Sequence, residues 1–234
     1  MSDQNDIIYG AHPVEEALKN PARKIVKLTT TLNAAERLRE FTQPLKITPQ
    51  IVAPKVLDRM LDPDAVHQGM ILEAKPLPHI ELRDIEQSGV VVMLDQVTDP
   101  HNVGAILRTC AAFNVTAIVT TARHSAEASG VLFKAASGAY EHVPFVKVTN
   151  LARAMEEFRD AGFRLIGLDS DADVVLGSID KSPPLVLILG AEGKGLRELT
   201  RKNCDMVAKL DFTGAIKSLN VSNAAAIALY ALSH

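Results

Sequence analysis

The chain has few cysteines, no excess of positive charge and no long apolar run, and each absence closes off a class of function. Cys110 and Cys204 are too few and too far apart for a metal-ligand cluster or a disulfide framework. Lys and Arg number 25 against 28 Asp and Glu, a formal net charge of -3, so the chain lacks the global electrostatic footprint of a nucleic-acid binder. Any such role must rest on a local patch, because residues 1–80 carry 10 basic and 10 acidic side chains and the remainder 15 and 18. No apolar stretch approaches the roughly 20 residues of a membrane span. The opening "MSDQNDIIYGAHPVEEAL" lacks the basic-then-apolar pattern of a secretion signal, so a reducing cytoplasm is the expected setting, with no membrane partner.

What is present is an alternation. The chain has 234 residues, 47% of them hydrophobic, enough for a sizeable core. From residue 90 onward the short apolar runs "VVML", "TAIV", "VPFVKV", "FRLIGL", "PLVLILG" and "DMVAKLDF" read as strands. Between them "HNVGAILRTCAAF", "EASGVLFKAAS", "NLARAMEEFRDAG" and "KGLRELTRK" read as helices. Strands apolar on both faces, alternating with helices, predict an α/β parallel sheet covered by helices. Residues 7–72 carry a smaller α/β pattern: helix "HPVEEALKN", strand "KIVKLTT", helix "NAAERLREFT", the stretch "ITPQIVA", helix "PKVLDRMLD" and strand "GMILEA". The proline-bearing, polar "AKPLPHIELRDIEQSG" reads as a linker. The expected organisation is a domain over 1–75, a linker over 76–88 and a larger domain over 89–234.

Four stretches invite chemical readings. "LILGAEGKGLREL" runs from a strand into Gly190, Gly193 and Gly195. Leu196 stands where a phosphate loop needs lysine, the dinucleotide spacing is absent, and Glu192 would oppose an anion, so a cationic or neutral ligand fits better than a phosphate. A plain strand-to-helix turn is the alternative. In "DPHNVGAILRTCAAF", Asp99 and Asn102 offer helix-cap chemistry, while Arg108 sits among small and apolar residues and needs either a structural ion pair or a phosphate or substrate contact. "GLDSDADVVLGSID" alternates Asp169, Asp171 and Asp173, but Val174 and Asp180 stand where a calcium loop requires Gly and Glu, leaving an acidic, solvated loop. Finally, "KSLNVSNAAAIALY" opens an apolar helix with Ser218, Asn220, Ser222 and Asn223. One cap explains one of them; four suggest a polar concavity where a ligand supplies partners.

Together "DPHNVGAILRTCAAF", "LGAEGKGL" and "GAIKSLNVSNAAAIALY" resemble the three signature motifs of the SpoU (TrmH) family of RNA ribose 2'-O-methyltransferases, over about residues 88–234. "IIYGAHPVEEAL" and "HQGM" further resemble the RNA-binding domain of its RlmB-like branch, which methylates a large-subunit rRNA guanosine. The resemblance implies a SPOUT-type trefoil-knotted parallel-sheet catalytic domain with a smaller N-terminal α/β RNA-binding domain, S-adenosylmethionine as cofactor, no metal, and a homodimer with each active site across the interface. It assigns Arg108, Asn102, Glu192, Ser218 and Asn220 to catalysis. Cofactor contacts fall on the backbone at Gly190, Leu210 and Leu219, with the loop after Leu168 a weaker candidate. A guanidinium with pKa above ~12 is a poor base, so Arg108 is read as the electrostatic partner of a phosphate and of the developing alkoxide. Asp211 stands where relatives carry proline. The same chemistry on tRNA, and a non-catalytic RNA-binding relative, are the competing readings.

Overall fold

A computed structural model describes residues 5–215 and 218–234. The N-terminal part runs β1 (Asp6–Tyr9), α1 (Ala11–Lys19), β2 (Ile25–Thr30), α2 (Leu32–Arg37), α3 (Arg39–Thr42), β3 (Gln50–Ile51), α4 (Pro54–Asp58) and β4 (Met70–Ala74). Its strands lie in the order β1-β4-β2-β3, with only β2 and β3 parallel. Helix α1 buries Ala11, Val14, Ala17 and Leu18, the spacing of a single apolar stripe. The helix expected over "NAAERLREFT" breaks at Leu38 into α2 and α3, and "PKVLDRMLD" yields only the short α4, entered through Pro54.

The larger part runs β5 (Val90–Asp95), α5 (Pro100–Ala112), β6 (Ala117–Thr121), α6 (Gly130–Ala136), β7 (Phe145–Val148), α7 (Leu151–Asp160), β8 (Arg164–Leu168), β9 (Val174–Val175), β10 (Leu185–Gly190), α8 (Glu198–Lys202), β11 (Met206–Lys209) and α9 (Val221–Ser233). Its sheet is parallel throughout, in the order β7-β6-β5-β10-β8-β11-β9. Late in the chain, β10 enters the centre of the sheet instead of extending an edge, and α9 returns to pack on α5. This is the α/β SPOUT arrangement that the motifs imply. The apolar runs have a direct physical cause: Leu185, Leu187 and Leu189 of β10 face one core layer, and Val186 and Ile188 face the other.

The two sheets are not insulated from each other. Residues of β1, α1, β2 and β4 share one continuous apolar core with α5, α6 and the large sheet. A Cβ at Gly130, the first residue of α6, would lie 2.5 Å from the Tyr9 ring, so only glycine permits this approach. The 76–88 segment is docked as well: Glu81 and Asp84 form a reciprocal cap, and Ile85 is buried in the second core layer.

One ion cluster spans the junction. The fully buried Arg23 donates to Asp6 at 2.6 Å and to Glu141 at 2.8 Å, and lies 5.8 Å from the ring centres of Phe133 and Tyr140. Burial raises the pKa of Asp6 from its ordinary value, and the adjacent guanidinium offsets only part of this. Removing the cation would leave two carboxylates buried side by side. Arg23→Ala is therefore expected to lower unfolding stability by about 3–5 kcal/mol in urea titration, a far larger loss than an exposed pair such as Arg39–Glu36 would cause.

Candidate functional site

Parallel strands bring their C-terminal ends to one edge, and ligands of such sheets bind there. At this edge β10 ends in Gly190 and reverses through a tight turn in which Gly195 N–H donates to the Ala191 carbonyl at 2.8 Å. Gly193 and Gly195 hold φ of 74° and 65°, the left-handed region that glycine occupies without steric cost. A Cβ on Gly190 would lie 2.2 Å from the Gly195 carbonyl carbon and 2.4 Å from Leu196 N. The glycine at 190 is thus demanded by the crossing of the chain over itself. The far end of the turn is pinned by Asp95, a fully buried carboxylate that accepts from Arg197 N at 3.0 Å and Arg197 Nε at 2.6 Å. Asp95 was not singled out from the sequence, although a charged residue closing the apolar run "VVVMLD" was the available signal.

Three of the expected residues meet beside this turn. Asp99 caps α5, accepting from His101 N at 2.9 Å, and so frees Asn102 from the capping role considered for it. Asn102 Nδ2 lies 3.4 Å from Glu192 Oε2, and Asn220 Nδ2 donates to Asn102 Oδ1 at 2.9 Å and approaches Glu192 Oε2 at 3.4 Å. Asn220 is also the N-cap of α9: its Oδ1 accepts from Ser222 N at 2.8 Å and Ser222 Oγ at 2.6 Å. Ser218 is exposed and makes no side-chain hydrogen bond among the described residues. Neighbouring Ile216 and Lys217, quoted within the third motif, lie outside the described residues.

Arg108 differs from the environment read for it. It is exposed, not embedded, and has no ion pair among the described residues, so the structural ion pair is not found. Six residues beyond Asn102, it stands about 9 Å along the helix and roughly 120° around it, on another face. Within one chain Arg108 is therefore not part of the Asn102–Glu192–Asn220 cluster.

A cleft of about 480 Å³ opens beyond the ends of β9 and β11, lined by Leu210 and Leu219 together with Val175, Leu176, Phe212 and Ile227. Gly190 and the residues immediately after Leu168 do not line it. In that acidic loop Asp169 is committed to Arg201 and to the Asp171 amide, and no His, Cys, Asp or Glu group suited to a metal is found among the described residues. Neither cysteine offers a nucleophile: burial raises the pKa of Cys110 and pushes that of Cys204 up to about 12. The short β9 and the lining residues Val175, Leu176, Phe212 and Ile227 were not anticipated as part of a site.

Comparison with known proteins bears on this geometry. Residues 89–230 match the SpoU rRNA Methylase family, and residues 7–79 match the family described as RNA 2'-O ribose methyltransferase substrate binding. The chain is 35% identical over 236 residues to a Pseudomonas putida protein named 23S rRNA (guanosine-2'-O-)-methyltransferase RlmB, covering 97% of this chain and 95% of that one. Its fold is that of the AdoMet-bound rRNA methyltransferase from Sinorhizobium meliloti, with a TM-score of 0.83, 24% identity and coverage of 98% and 87%. The TrmH/SpoU tRNA modifying enzyme of A. aeolicus matches only 62% of this chain and 73% of its own, with a TM-score of 0.56 and 28% identity.

Because the glycine turn is closed by backbone contact, Gly190→Ala is expected to disorder it. Thermal melting should show a loss of about 1–3 kcal/mol from overpacking. Hydrogen exchange should show lost protection concentrated at Gly195 and Arg197, whose amides bond to Ala191 and Asp95.

Proposed function

Because the chain belongs to the SpoU rRNA methylase family, we propose that it methylates the ribose 2'-oxygen of a guanosine in 23S rRNA, with S-adenosylmethionine as methyl donor. The observation that carries this reading is the meeting of Asn102, Glu192 and Asn220 at the sheet edge that also holds the Leu210 and Leu219 cleft. The donor set suits the cofactor: apolar side chains accommodate a flat uncharged ring, and a turn carrying Glu192 favours a cation over a phosphate. Bound there, S-adenosylmethionine supplies a methyl group activated by a sulfonium centre.

The residues of the chain then have separable tasks. Methyl transfer to the 2'-oxygen would require the hydroxyl proton to pass to solvent water and the negative charge developing on that oxygen, before its bond to carbon is complete, to be held by the protein. Arg108 holds that charge and a neighbouring phosphate; a bidentate guanidinium suits both and is a poor base. Ser218, exposed beside the site, contacts the substrate. Asn220 and Glu192 keep Asn102 and the turn in register. Gly190, Leu210 and Leu219 are assigned to the cofactor, Gly190 through the shape of the turn. The match of residues 7–79 to a substrate-binding family supports an RNA substrate that needs both parts of the chain. The tRNA enzyme of A. aeolicus, which matches 62% of the chain, makes tRNA the second reading.

A homodimer completes the site. Asn223, Ile227 and Tyr230 form one exposed stripe on α9, with Tyr230 edge-on to Phe113 at 6.5 Å. Ile227 and Tyr230 make this stripe partly apolar, and such a surface calls for cover; a second copy seated so that its Arg108 reached this chain's cluster would supply the guanidinium that a single chain does not place there.

Ribose-methylation mapping of rRNA and tRNA, with and without the gene, is expected to show loss of one large-subunit guanosine mark; loss of a tRNA mark instead would transfer the reading to tRNA. Arg108→Ala should lower kcat by about 100-fold or more with cofactor Kd unchanged, and Arg108→Lys should recover little of it. If sites are shared, co-expressing the Arg108→Ala and Asn220→Ala chains should restore about a quarter of wild-type activity, since half the dimers then hold one intact site. Sites contained within single chains would give no such recovery.

A further inference from the structure

Polar contacts fasten the N-terminal part to the larger one at opposite ends of α1. Beyond its last residue, Asn20 Nδ2 donates to Glu141 Oε2 at 2.8 Å beside the buried Arg23–Asp6–Glu141 cluster, and His142 Nε2 lies 2.7 Å from Glu16 Oε2. At its first residue, Gln68 Oε1 accepts from Ala11 N at 2.9 Å and from Lys134 Nζ of α6 at 2.7 Å. The 9 residues of α1 separate the two attachments by about 13 Å. A single attachment leaves a pivot, whereas two at this separation oppose rotation about it. We propose that the Gln68–Lys134 contact determines which ribose is methylated, by fixing the angle of the N-terminal part against the C-terminal edge of the large sheet. The proposal rests on the RNA methyltransferase reading above and adds to it a pair of positioning residues outside the reacting cluster.

Several local costs converge on this contact. Gly10, the N-cap of α1, has no side chain to accept from the helix, so Gln68 does so from 57 residues away. To reach that place Gln68 holds φ 53°, a left-handed backbone in a residue other than glycine, and Gly69 follows at φ 83°. The turn is held by Gly69 N, which donates to His67 Nδ1 at 2.9 Å, and a Cβ on Gly69 would lie 2.6 Å from Thr31 Oγ1. On the other side, a Cβ on Gly10 would collide with Lys134 Nζ. Lys134 has no carboxylate partner among the described residues, and burial lowers its pKa, so a partly desolvated ammonium is held by a neutral amide. Capping α1 needs an acceptor but no lysine from α6. The ammonium joins the two parts.

The two attachments differ in strength and in place. The Arg23 cluster is buried and charged, whereas Gln68 is exposed and its contact is a single neutral-to-cation hydrogen bond. The Gln68 end is therefore the one that can open while the chain stays folded. Helix α6 follows β6 and leads away from the C-terminal edge of the sheet, so Lys134 stands closer to that edge than Glu141 does. Opening this end swings the N-terminal part about the Arg23 cluster and changes the span from residues 7–79, which match a substrate-binding family, to the Asn102–Glu192–Asn220 cluster. Reaction at a ribose depends on its placement to within about 1 Å, so a changed span presents a different ribose.

Ribose-methylation mapping of a 23S rRNA transcript treated with wild type, Gln68→Ala, Lys134→Met or Gln68→Glu tests this. Wild type and Gln68→Glu, whose carboxylate still accepts from Ala11 N and Lys134, are expected to mark one guanosine. Gln68→Ala and Lys134→Met are expected to raise the ratio of marks at other riboses to the mark at that guanosine by about 10-fold, with cofactor Kd unchanged. A lower melting temperature or slower turnover with the site choice of wild type would show a merely structural contact and overturn the proposal, leaving the enzyme reading intact. Marks spread by Gln68→Glu as widely as by Gln68→Ala would overturn it too. A wild-type protein that methylates no RNA overturns the enzyme reading and this proposal with it.

Discussion

The amide of Asn220 is the constraint on which the site depends. Its oxygen accepts from the amide and hydroxyl of Ser222, and its nitrogen faces Asn102 and Glu192, so its two acceptor and two donor positions are engaged within the chain. One side chain thereby starts α9, joins it to α5 across 118 residues of sequence, and touches the turn after β10. A side chain so fully occupied orients others; Ser218 and Arg108 make no side-chain hydrogen bond or ion pair among the described residues, and on the function proposed above they are the groups free for substrate. This division accounts for the crowd of polar residues before an apolar helix, where a ligand was expected to supply the missing partners: the chain itself supplies them for Asn220 and Ser222.

A comparable economy joins the two sheets. Helix α6 receives Tyr9 against Gly130, Gln68 against Lys134 and, just beyond its end, Arg23 against Glu141. These contacts differ in kind: close packing, a neutral-to-cation hydrogen bond and a buried ion cluster. The ion cluster adds little net stability, because burial raises the pKa of Asp6 despite its partner. Its effect is orientational, since the three charges are satisfied in a single docking geometry. On the function proposed above, an N-terminal part held in this way would act as a spacer of fixed length, which suits selection of one ribose among many.

The parallel sheet was legible in the sequence because both of its faces are buried. Runs such as "LVLILG" cannot be half-exposed strands, and each such run became a strand. The elements that escaped notice are those whose signal is weak for physical reasons. Strand β9 is two residues long beside an acidic loop and lies at the sheet edge, where pairing with Lys209 and Ala208 suffices without an apolar run. Strand β1 is four residues long, with only its last two buried. The charged residues were harder still. Asp95 reads as the end of a strand and proves to be the anchor of the glycine turn, whereas Arg108 reads as embedded because Ile106, Leu107 and Cys110 surround it in sequence. Those three point inward and Arg108 outward, which a list of neighbours conceals and a helical projection reveals.

Charge is the remaining difficulty for an RNA enzyme whose formal net charge is -3. At the C-terminal edge of the large sheet two of the arginines are internal fixtures, Arg197 on Asp95 and Arg201 on Asp169, so their positive charge is largely cancelled within the chain. Arg108, Arg123 and Lys194 are exposed and have no ion pair among the described residues. Elsewhere the exposed Lys24, Lys27, Lys46, Lys55 and Arg59 also carry no ion pair among the described residues, so attraction for phosphate is local and not a property of the whole surface. Such a surface gains little from arbitrary duplex RNA and discriminates by structure. On the function proposed above, one site must be selected among many, and a net charge near zero with its cations held in local groups limits nonspecific attraction to other RNA.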